Sequence, residues 1–272
     1  MLRGMGDSQH AGARAWVTRR RVLTAAATSC VLGAVSALHL SEAATASGGD
    51  HGRTMTPEQR QRADPASVSS VRTARPWVAI TFDDGPDPDY TPEVLDILRR
   101  YAVPATFFVV GSNATAHPDL VARIRAEGHA TANHTQNHRW LNSMTEPDVR
   151  AELTLGGRHV AGSAADLYRP PSGWTSPTVA RVGGLLALRP IFWSDCIEAH
   201  FDIGAQGAGR RVGYFAGPGS IILTHDGGSI AGPNAQHIDR SRSVAALPYL
   251  IEKLARRSLV PVTVPQLLGA AR

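Results

Sequence analysis

Two adjacent carboxylates end an apolar stretch of this sequence. Residues 78–82 (VAITF) are followed by Asp83, Asp84 and a Gly-Pro pair. Such a run is typical of a buried strand that stops at a turn. Successive side chains of a strand point to opposite faces, so the two acids can do different chemistry where the strand ends. We expect one general base and one metal ligand; the alternative is a polar turn after a core strand.

Two histidines follow at a spacing that suits a metal ion. His134 and His138 stand four residues apart, which on a helical turn would place both imidazoles on one face. Imidazole nitrogens and carboxylates are common ligands of zinc. A histidine pair in a polar loop can also be solvated or cap a helix. The pair is therefore informative only in combination with the acids upstream and the strand ends that follow.

Three further apolar segments end on ionisable side chains. They are residues 167–169, 191–195 and 221–225, which end on Arg169, Asp195 and His225 respectively. Ionisable groups delivered by several strand ends suggest a single shared site.

These groups need a scaffold that brings strand ends together, and the rest of the chain predicts one. Thr91, Pro92 and Glu93 are typical of a helix start, and apolar residues follow at helical spacing as far as Tyr101. The expected strands are 78–82, 105–111, 129–134, 166–169, 190–195, 220–225 and 259–264, and the expected helices are 91–101, 117–128, 145–159, 176–187 and 242–257.

Strands that alternate with helices predict an α/β fold with a parallel sheet, either doubly wound or closed into a barrel. We favour a barrel with its active site at the strand C-terminal face, because the candidate side chains all follow strand ends. Pro248 should kink the last helix or mark its true start.

The first 46 residues predict an export signal. Arg19 and Arg20 precede an apolar run, and small residues at 44–46 suit cleavage, as in leaders of twin-arginine type. We expect this leader to be removed, and the alternative is that it is retained as an anchor. The protein should then be secreted or reside in the cell wall.

Residues 47–74 predict a flexible linker because large apolar side chains are almost absent. One domain, residues 75–272, should follow.

The charge balance argues against one class of partner. The formal net charge is +5, and residues 1–46 carry five arginines against Asp7 and Glu42, so the mature chain would carry +2. A value this close to zero gives no reason to expect a nucleic-acid partner.

Without the leader Cys196 is the one remaining cysteine, so no intrachain disulfide is expected. We expect a monomer without stable membrane insertion.

Taken together, the motifs resemble those of a known enzyme family. Residues 81–86 (TFDDGP), 134–138 (HTQNH), 169–173 (RPPSG) and 223–225 (LTH) resemble motifs one, two, three and five of the NodB-homology polysaccharide deacetylases, carbohydrate esterase family four. They occur in that family's order, and the resemblance extends over residues 76–268. It implies a distorted (β/α)7 barrel with a single parallel sheet. It also implies a metal-dependent enzyme that removes N- or O-acetyl groups from a polysaccharide or oligosaccharide.

The resemblance implies a role for each matched residue. Asp84, His134 and His138 would hold a divalent metal, Zn2+ or another such as Co2+. Asp83 would be the general base, and His225 would protonate the departing amine.

Other residues would assist these groups. Arg169 would orient Asp83, and Asp195 would partner His225 and raise its pKa. The backbone N–H of Ser172 would face the developing oxyanion, and Leu223 would line the acetyl pocket.

The fourth motif departs from the family pattern. Where the family has Asp-x-x-Asp-Trp, residues 195–199 read DCIEA, with a glutamate for the second acid and an alanine for the tryptophan. Trp174 and Trp193 are candidate platforms for a sugar ring, although such tryptophans can equally be core residues. Residues 204–219 contain six glycines and predict a wide, shallow groove with little side-chain wall.

Three other functions are compatible with parts of the pattern. Two histidines and a carboxylate also bind iron in non-haem oxygenases, but those folds are all-β, unlike the alternation seen here. A non-catalytic relative that binds the cell wall would be expected to lack Asp83 or His225, and both are present. An amidase or imidase for a small molecule stays open, because the scaffold defines the chemistry better than the substrate. Expected export favours a glycan such as chitin oligomers, peptidoglycan or acetylxylan.

Overall fold

The structure is a computed structural model that describes residues 55–230 and 236–271. The helices are α1 (Pro57–Ala63), α2 (Thr91–Tyr101), α3 (Gly111–Ala116), α4 (Pro118–Ala126), α5 (Glu146–Gly156), α6 (Pro177–Leu185), α7 (Gly204–Phe215), α8 (Ser241–Arg256) and α9 (Val264–Leu268). The strands are β1 (Trp77–Asp83), β2 (Thr106–Val109), β3 (Ala130–Asn133), β4 (Leu167–Tyr168), β5 (Arg189–Pro190), β6 (Asp195–Cys196), β7 (Ile221–His225), β8 (Ser229–Ile230), β9 (Gln236–His237) and β10 (Val260–Val262). The expected leader, residues 1–46, lies outside the described residues.

Seven strands form one parallel sheet in the order β5-β4-β3-β2-β1-β7-β6. The second half of β1 pairs with β2 on one side and with β7 on the other. β10 pairs in parallel with the first half of β1 and adds an eighth strand. β8 and β9 form a separate antiparallel hairpin.

The sheet is curled into a half-barrel. The edge strands β5 and β6 are separated by residues 191–194 alone, so one extended segment supplies both edges. Residues 68–71 lie across this seam, because Val68 bridges to Ile191 and Ser70 bridges to Ser220. The predicted distorted α/β barrel with a single parallel sheet is confirmed.

β1 is buried on both faces, which explains its unbroken apolar sequence. Val78, Ile80 and Phe82 belong to a core that they share with apolar residues of α2 and α8. Ala79 belongs to a second core, with side chains from β2 and β7. Asp83 has the parity of Ala79 and so lies on that second face, at the C-terminal end of the strand.

Residues 56–71 differ from the flexible linker that we expected up to residue 74. The hydroxyl of Thr56 caps α1 by accepting from Gln59 N. Arg60 and Val71 are buried, and Val68 pairs with the sheet. These few anchors are too widely spaced to produce an apolar pattern in the sequence. They nevertheless hold the segment against the domain.

The glycines of residues 204–219 do not form the wall of a shallow groove, as we expected from the sequence. They belong largely to α7, and a Cβ on Gly209 would lie 2.4 Å from Ala246 O on α8. A Cβ on Gly213 would lie 2.8 Å from Lys253 Cβ. The glycines therefore let two helices approach closely, and they do not indicate an open groove wall.

The last long helix lies close to the expected bounds, and Pro248 does not mark its start. α8 begins at Ser241 and continues past Pro248 to Arg256. The proline removes one helical N–H, but buried apolar residues on both sides of it hold the helix against the sheet. Among the described residues, no helix is long and apolar enough to cross a membrane.

Candidate active site

Asp83 lies at the end of β1, where it forms a buried ion pair with Arg169. Arg169 Nη1 lies 2.5 Å from Asp83 Oδ1 and 3.0 Å from Thr81 Oγ1. The other guanidinium nitrogens of Arg169 donate to the carbonyls of Ile191 and Phe192. Arg169 is fully buried, and a buried charge requires compensation. Asp83 and the accepting carbonyls supply it. This contact agrees with the predicted orienting role.

Asp84 follows in a left-handed conformation, with φ of 74°, and so leaves the direction of the strand. Its Oδ1 lies 3.1 Å from His138 Nε2 and 3.4 Å from His134 Nε2. Burial acts to raise the pKa of Asp84, but the two histidines outweigh it and hold that pKa well below its usual value. The turn at residue 84 thus separates two neighbouring acids into two environments.

The two histidines come from a loop after β3. Thr135 and His138 both have positive φ, so residues 134–138 do not form the helical turn that their spacing suggested. His138 N donates to Thr135 Oγ1, which supports the loop from within. The imidazoles nevertheless converge, with ring centroids 5.0 Å apart.

The donor set fits a divalent metal. Suitable atoms of Asp84, His134 and His138 all lie within 4.8 Å of one another, and no other such cluster occurs among the described residues. His134 Nδ1 lies 2.9 Å from the carbonyl oxygen of Arg169. Because a carbonyl only accepts, Nδ1 carries the proton and the lone pair of Nε2 faces Asp84. This is the tautomer that a metal ligand requires.

His225 lies at the end of β7, directly opposite Asp83 in the strand register. Its Nδ1 is 3.2 Å from Glu198 Oε1. The same carboxylate oxygen accepts hydrogen bonds from the hydroxyls of Thr224 and Ser243. His225 and Asp83 are therefore an acid and a base candidate on adjacent strands.

The charges of this pair depend on each other. Burial acts to raise the pKa of Glu198, but the charge of His225 and the donated hydrogen bonds lower that pKa to about 2. Burial and Arg240 act to lower the pKa of His225, but Glu198 outweighs them and the pKa is raised. An ionised Glu198 thus favours a protonated His225.

Asp195 does not have the role that we expected. It contacts His200, whose Nε2 is 3.0 Å from Asp195 Oδ1, and it accepts from the backbone N–H of Cys196. The register explains the error, because Cys196 pairs with Leu223 and the chain then continues to Glu198 at the level of His225. The second acid of the motif is therefore the partner of the histidine.

Arg240 is a member of the site that the sequence did not indicate. Its Nη2 lies 2.7 Å from Asp84 Oδ2, and its Nε donates to the carbonyl of Gly227. Arg240 comes immediately before α8 and is far from Asp84 in sequence. No spacing signal could have connected them.

Ser172, Leu223 and Trp174, to which we assigned substrate contacts, lie close in sequence to Arg169 or His225. Ser172 has positive φ, 56°, in the tight turn Pro171–Gly173 that follows Arg169. Leu223 is buried on β7, opposite Thr81. Trp174 helps to line a groove of about 920 Å³ against Met55 and α1. Their contacts with a substrate stay predictions.

Trp193, the other candidate platform, already has a partner. The guanidinium carbon of Arg60 lies 4.1 Å from the centroid of its indole ring. The guanidinium carbon of Arg169 lies 5.7 Å from the same centroid. The indole of Trp193 is therefore already engaged by cations of the protein, and its role as a platform for a sugar stays a prediction.

The site is assembled from two consecutive parts of the chain. The base, its arginine and the metal-binding cluster come from residues 83–169, whereas His225 and its partners come from residues 198–243. Asp83 ends β1, which lies between β2 on one side and β7, the strand of His225, on the other.

Comparison with known proteins gives a consistent set of relatives. Residues 70–191 match the family model described as polysaccharide deacetylase. The chain is 34% identical over 195 residues to a peptidoglycan-N-acetylglucosamine deacetylase of Bacillus cereus, covering 70% of this chain and 87% of the relative. It is 36% identical over 207 residues to a chitooligosaccharide deacetylase of Sinorhizobium fredii, covering 74% and 95%.

Solved structures show the same similarity. A peptidoglycan N-acetylglucosamine deacetylase in complex with 4-naphthalen-1-yl-N-oxidanyl-benzamide matches with a TM-score of 0.67 and 30% identity, over 78% of this chain and 97% of that one. A family 4 carbohydrate esterase from Streptomyces lividans in complex with acetate matches with a TM-score of 0.60 and 25% identity, over 72% and 96%.

Proposed function

This chain belongs to the polysaccharide deacetylase family, and we propose that it is a metal-dependent enzyme that hydrolyses N-acetyl groups of chitooligosaccharides or peptidoglycan. One observation carries the proposal. Asp83 and His225 lie opposite each other on adjacent strands, beside a cluster of Asp84, His134 and His138 that fits a divalent ion. Base, acid and metal ligands thus all lie at the C-terminal ends of strands in one sheet.

The side chains divide the reaction between them. Asp83, held by Arg169, accepts a proton from the attacking water. His225, protonated beside Glu198, donates a proton to the departing amine. A divalent metal held by Asp84 and the two histidines would supply Lewis-acid polarisation of the acetyl carbonyl and of water.

The substrate class rests on the relatives. Two similar proteins carry names that specify peptidoglycan N-acetylglucosamine and chitooligosaccharides, and both substrates present an N-acetyl group on a glucosamine unit. The shared chemistry is an N-acetylglucosamine unit within a chain of sugars. Acetylxylan, an O-acetylated polymer, is the comparison substrate.

The experiment measures acetate release and metal content on the same sample. We expect release from N-acetylglucosamine oligomers or peptidoglycan, together with nearly one divalent ion per chain. Asp84→Ala should lose both the metal and the activity, whereas Asp202→Ala, an exposed acid away from the cluster, should keep both. Activity in metal-free wild-type protein would refute the proposal, and release from a small amide alone would indicate an amidase instead.

Oligomer length tests how the sugar chain is bound. Ala199 replaces a bulky indole and is exposed, so aromatic stacking at this position is absent. Contacts of this kind contribute about 1 kcal/mol each. We propose that remote sugar units supply the missing binding energy, so that kcat/KM rises from two to six units. Full activity on a monosaccharide would contradict this, as would an unchanged kcat/KM in Ala199→Trp.

Export by the twin-arginine route is part of the same proposal. It is supported by Arg19 and Arg20 ahead of an apolar run. Replacing both arginines by lysine should leave the precursor in the cytoplasm. Normal secretion of that variant would indicate the general secretory route.

A further inference from the structure

Arg240 divides the two oxygens of Asp84 between two partners. Oδ2 pairs with Arg240 Nη2 at 2.7 Å, while Oδ1 faces the two imidazoles. Arg240 is 7% exposed, so this ion pair is shielded from solvent. The carboxylate therefore has one oxygen available for a metal and one oxygen already bound.

The same arginine fastens the segment that follows His225. Its Nε donates to Gly227 O at 2.9 Å. Gly227 lies directly against Asp84, since a Cβ at this position would be 2.2 Å from the carbonyl carbon of Asp84. Gly228 N accordingly reaches Asp87 Oδ2, at 3.0 Å. The beginning and the end of residues 227–240 thus both contact the turn that contains Asp84.

We propose that Arg240 is a positioning residue that restricts Asp84 to a single metal-binding oxygen and fastens the segment after His225 to the metal site. The inference rests on the proposed function, because it concerns the metal held by Asp84, His134 and His138. The side chain acts through Asp84 and is not itself a ligand.

A guanidinium near a metal site has two opposite effects on metal affinity. Its charge repels a divalent cation, so a purely electrostatic role means that removing Arg240 tightens binding. Its hydrogen bonds hold the ligand in place, so a positioning role means that removal weakens binding. The sign of the change in affinity separates the two.

The experiment uses the full chain and measures the Zn2+ dissociation constant by competition with a chelator. Arg240→Met should bind Zn2+ about 10- to 100-fold more weakly, the usual range for the loss of a group that supports a metal ligand. Arg242→Met is the matched control, because Arg242 is exposed and contacts Phe201 instead of Asp84. It should bind Zn2+ as the wild type does. Unchanged or tighter binding in Arg240→Met would overturn the proposal.

A second variant keeps the test decisive where Arg240→Met does not fold. Arg240→Lys retains the charge, but one amine cannot reach both Asp84 Oδ2 and Gly227 O as the forked guanidinium does. We expect about tenfold weaker Zn2+ binding and, at saturating Zn2+, recovery of most of kcat. Wild-type affinity in Arg240→Lys would show that the double contact with Asp84 and Gly227 is not needed and would overturn the proposal that Arg240 fastens this segment to the metal site.

The two proposals fail in different ways. A wild-type protein that binds no divalent metal would refute the proposed function itself. A wild-type protein that binds Zn2+ no more tightly than the Arg240 variants would refute only the role of Arg240.

Discussion

Arg169 holds His134 through its backbone and Asp83 through its side chain. Its carbonyl oxygen is 2.9 Å from His134 Nδ1, and its Nη1 is 2.5 Å from Asp83 Oδ1. One residue therefore determines the orientation of both a metal ligand and the candidate base. A displacement of Arg169 would therefore disturb the metal ligand and the candidate base at the same time.

Replacing the base should separate catalysis from metal binding. Asp83→Asn keeps the shape of the side chain but cannot accept the proton from water. We expect kcat to fall by about 10²-fold or more, with the metal content unchanged by elemental analysis. A metal-free Asp83→Asn protein would mean that the roles of Asp83 and Asp84 are reversed.

The pH profile should identify the partner of His225. Its raised pKa depends on Glu198, so Glu198→Gln should lower that pKa. Because the histidine acts in its protonated form, the alkaline limb of kcat/KM should move to lower pH. Asp195→Asn is the control, since Asp195 contacts His200, and its profile should match the wild type. A shift in Asp195→Asn alone would restore the assignment made from the sequence.

Arg60 should contribute to stability although no carboxylate of the described residues pairs with it. It is 2% exposed, and its guanidinium lies over the rings of Trp193 and Phe192. Arg60→Ala should lower the free energy of unfolding by about 2 kcal/mol, through lost packing and lost cation–π contact. Arg62→Ala, on the exposed side of α1, should change it little. Equal effects in denaturant titrations would mean that α1 is not held by Arg60.

Asp226 should make the metal-free protein less stable as pH rises. Burial, and the neighbouring Asp84 and Asp87, raise the pKa of Asp226 to about 7 although Thr91 donates to it. The folded state then binds a proton that the unfolded state has released. The resulting stability is complete at pH values below the ordinary carboxyl pKa and is lost as pH approaches 7.

Asp226→Asn should remove this dependence. Its unfolding midpoint in denaturant should exceed that of the wild type at pH 8, with a smaller difference at pH 4. Asp202→Asn removes the same charge from an exposed position and should not alter the slope. A wild-type slope in Asp226→Asn would show that another group takes up the proton.

The fold was predictable because its signal is repeated along the chain. Each buried strand is an apolar run followed by a turn, and each helix has its own apolar periodicity. Arg169, His134 and Asp83 could be placed together because each follows such a strand, and the structure brings them into contact. α1 could not be predicted from apolar pattern, since its main anchor is the arginine Arg60.

The two errors at the site have one physical origin. Asp195 and Glu198 are both acids in one short motif, and only the register between β6 and β7 decides which of them reaches His225. Arg240 reaches Asp84 across most of the length of the domain. Contacts that depend on how the sheet curls cannot be predicted from the spacing of residues in the sequence.

The division of the catalytic residues between two parts of the chain has a consequence for how such proteins are classified. The residues that match the family model, 70–191, include Asp83 and the metal-binding cluster but end before Glu198, His225 and Arg240. A descendant could lose its proton donor through one substitution after residue 191 and still be recognised as a family member. A match to the family model therefore covers the candidate base and the metal-binding cluster but not the candidate proton donor. Glu198, His225 and Arg240 must be inspected separately before a copy is taken to be active.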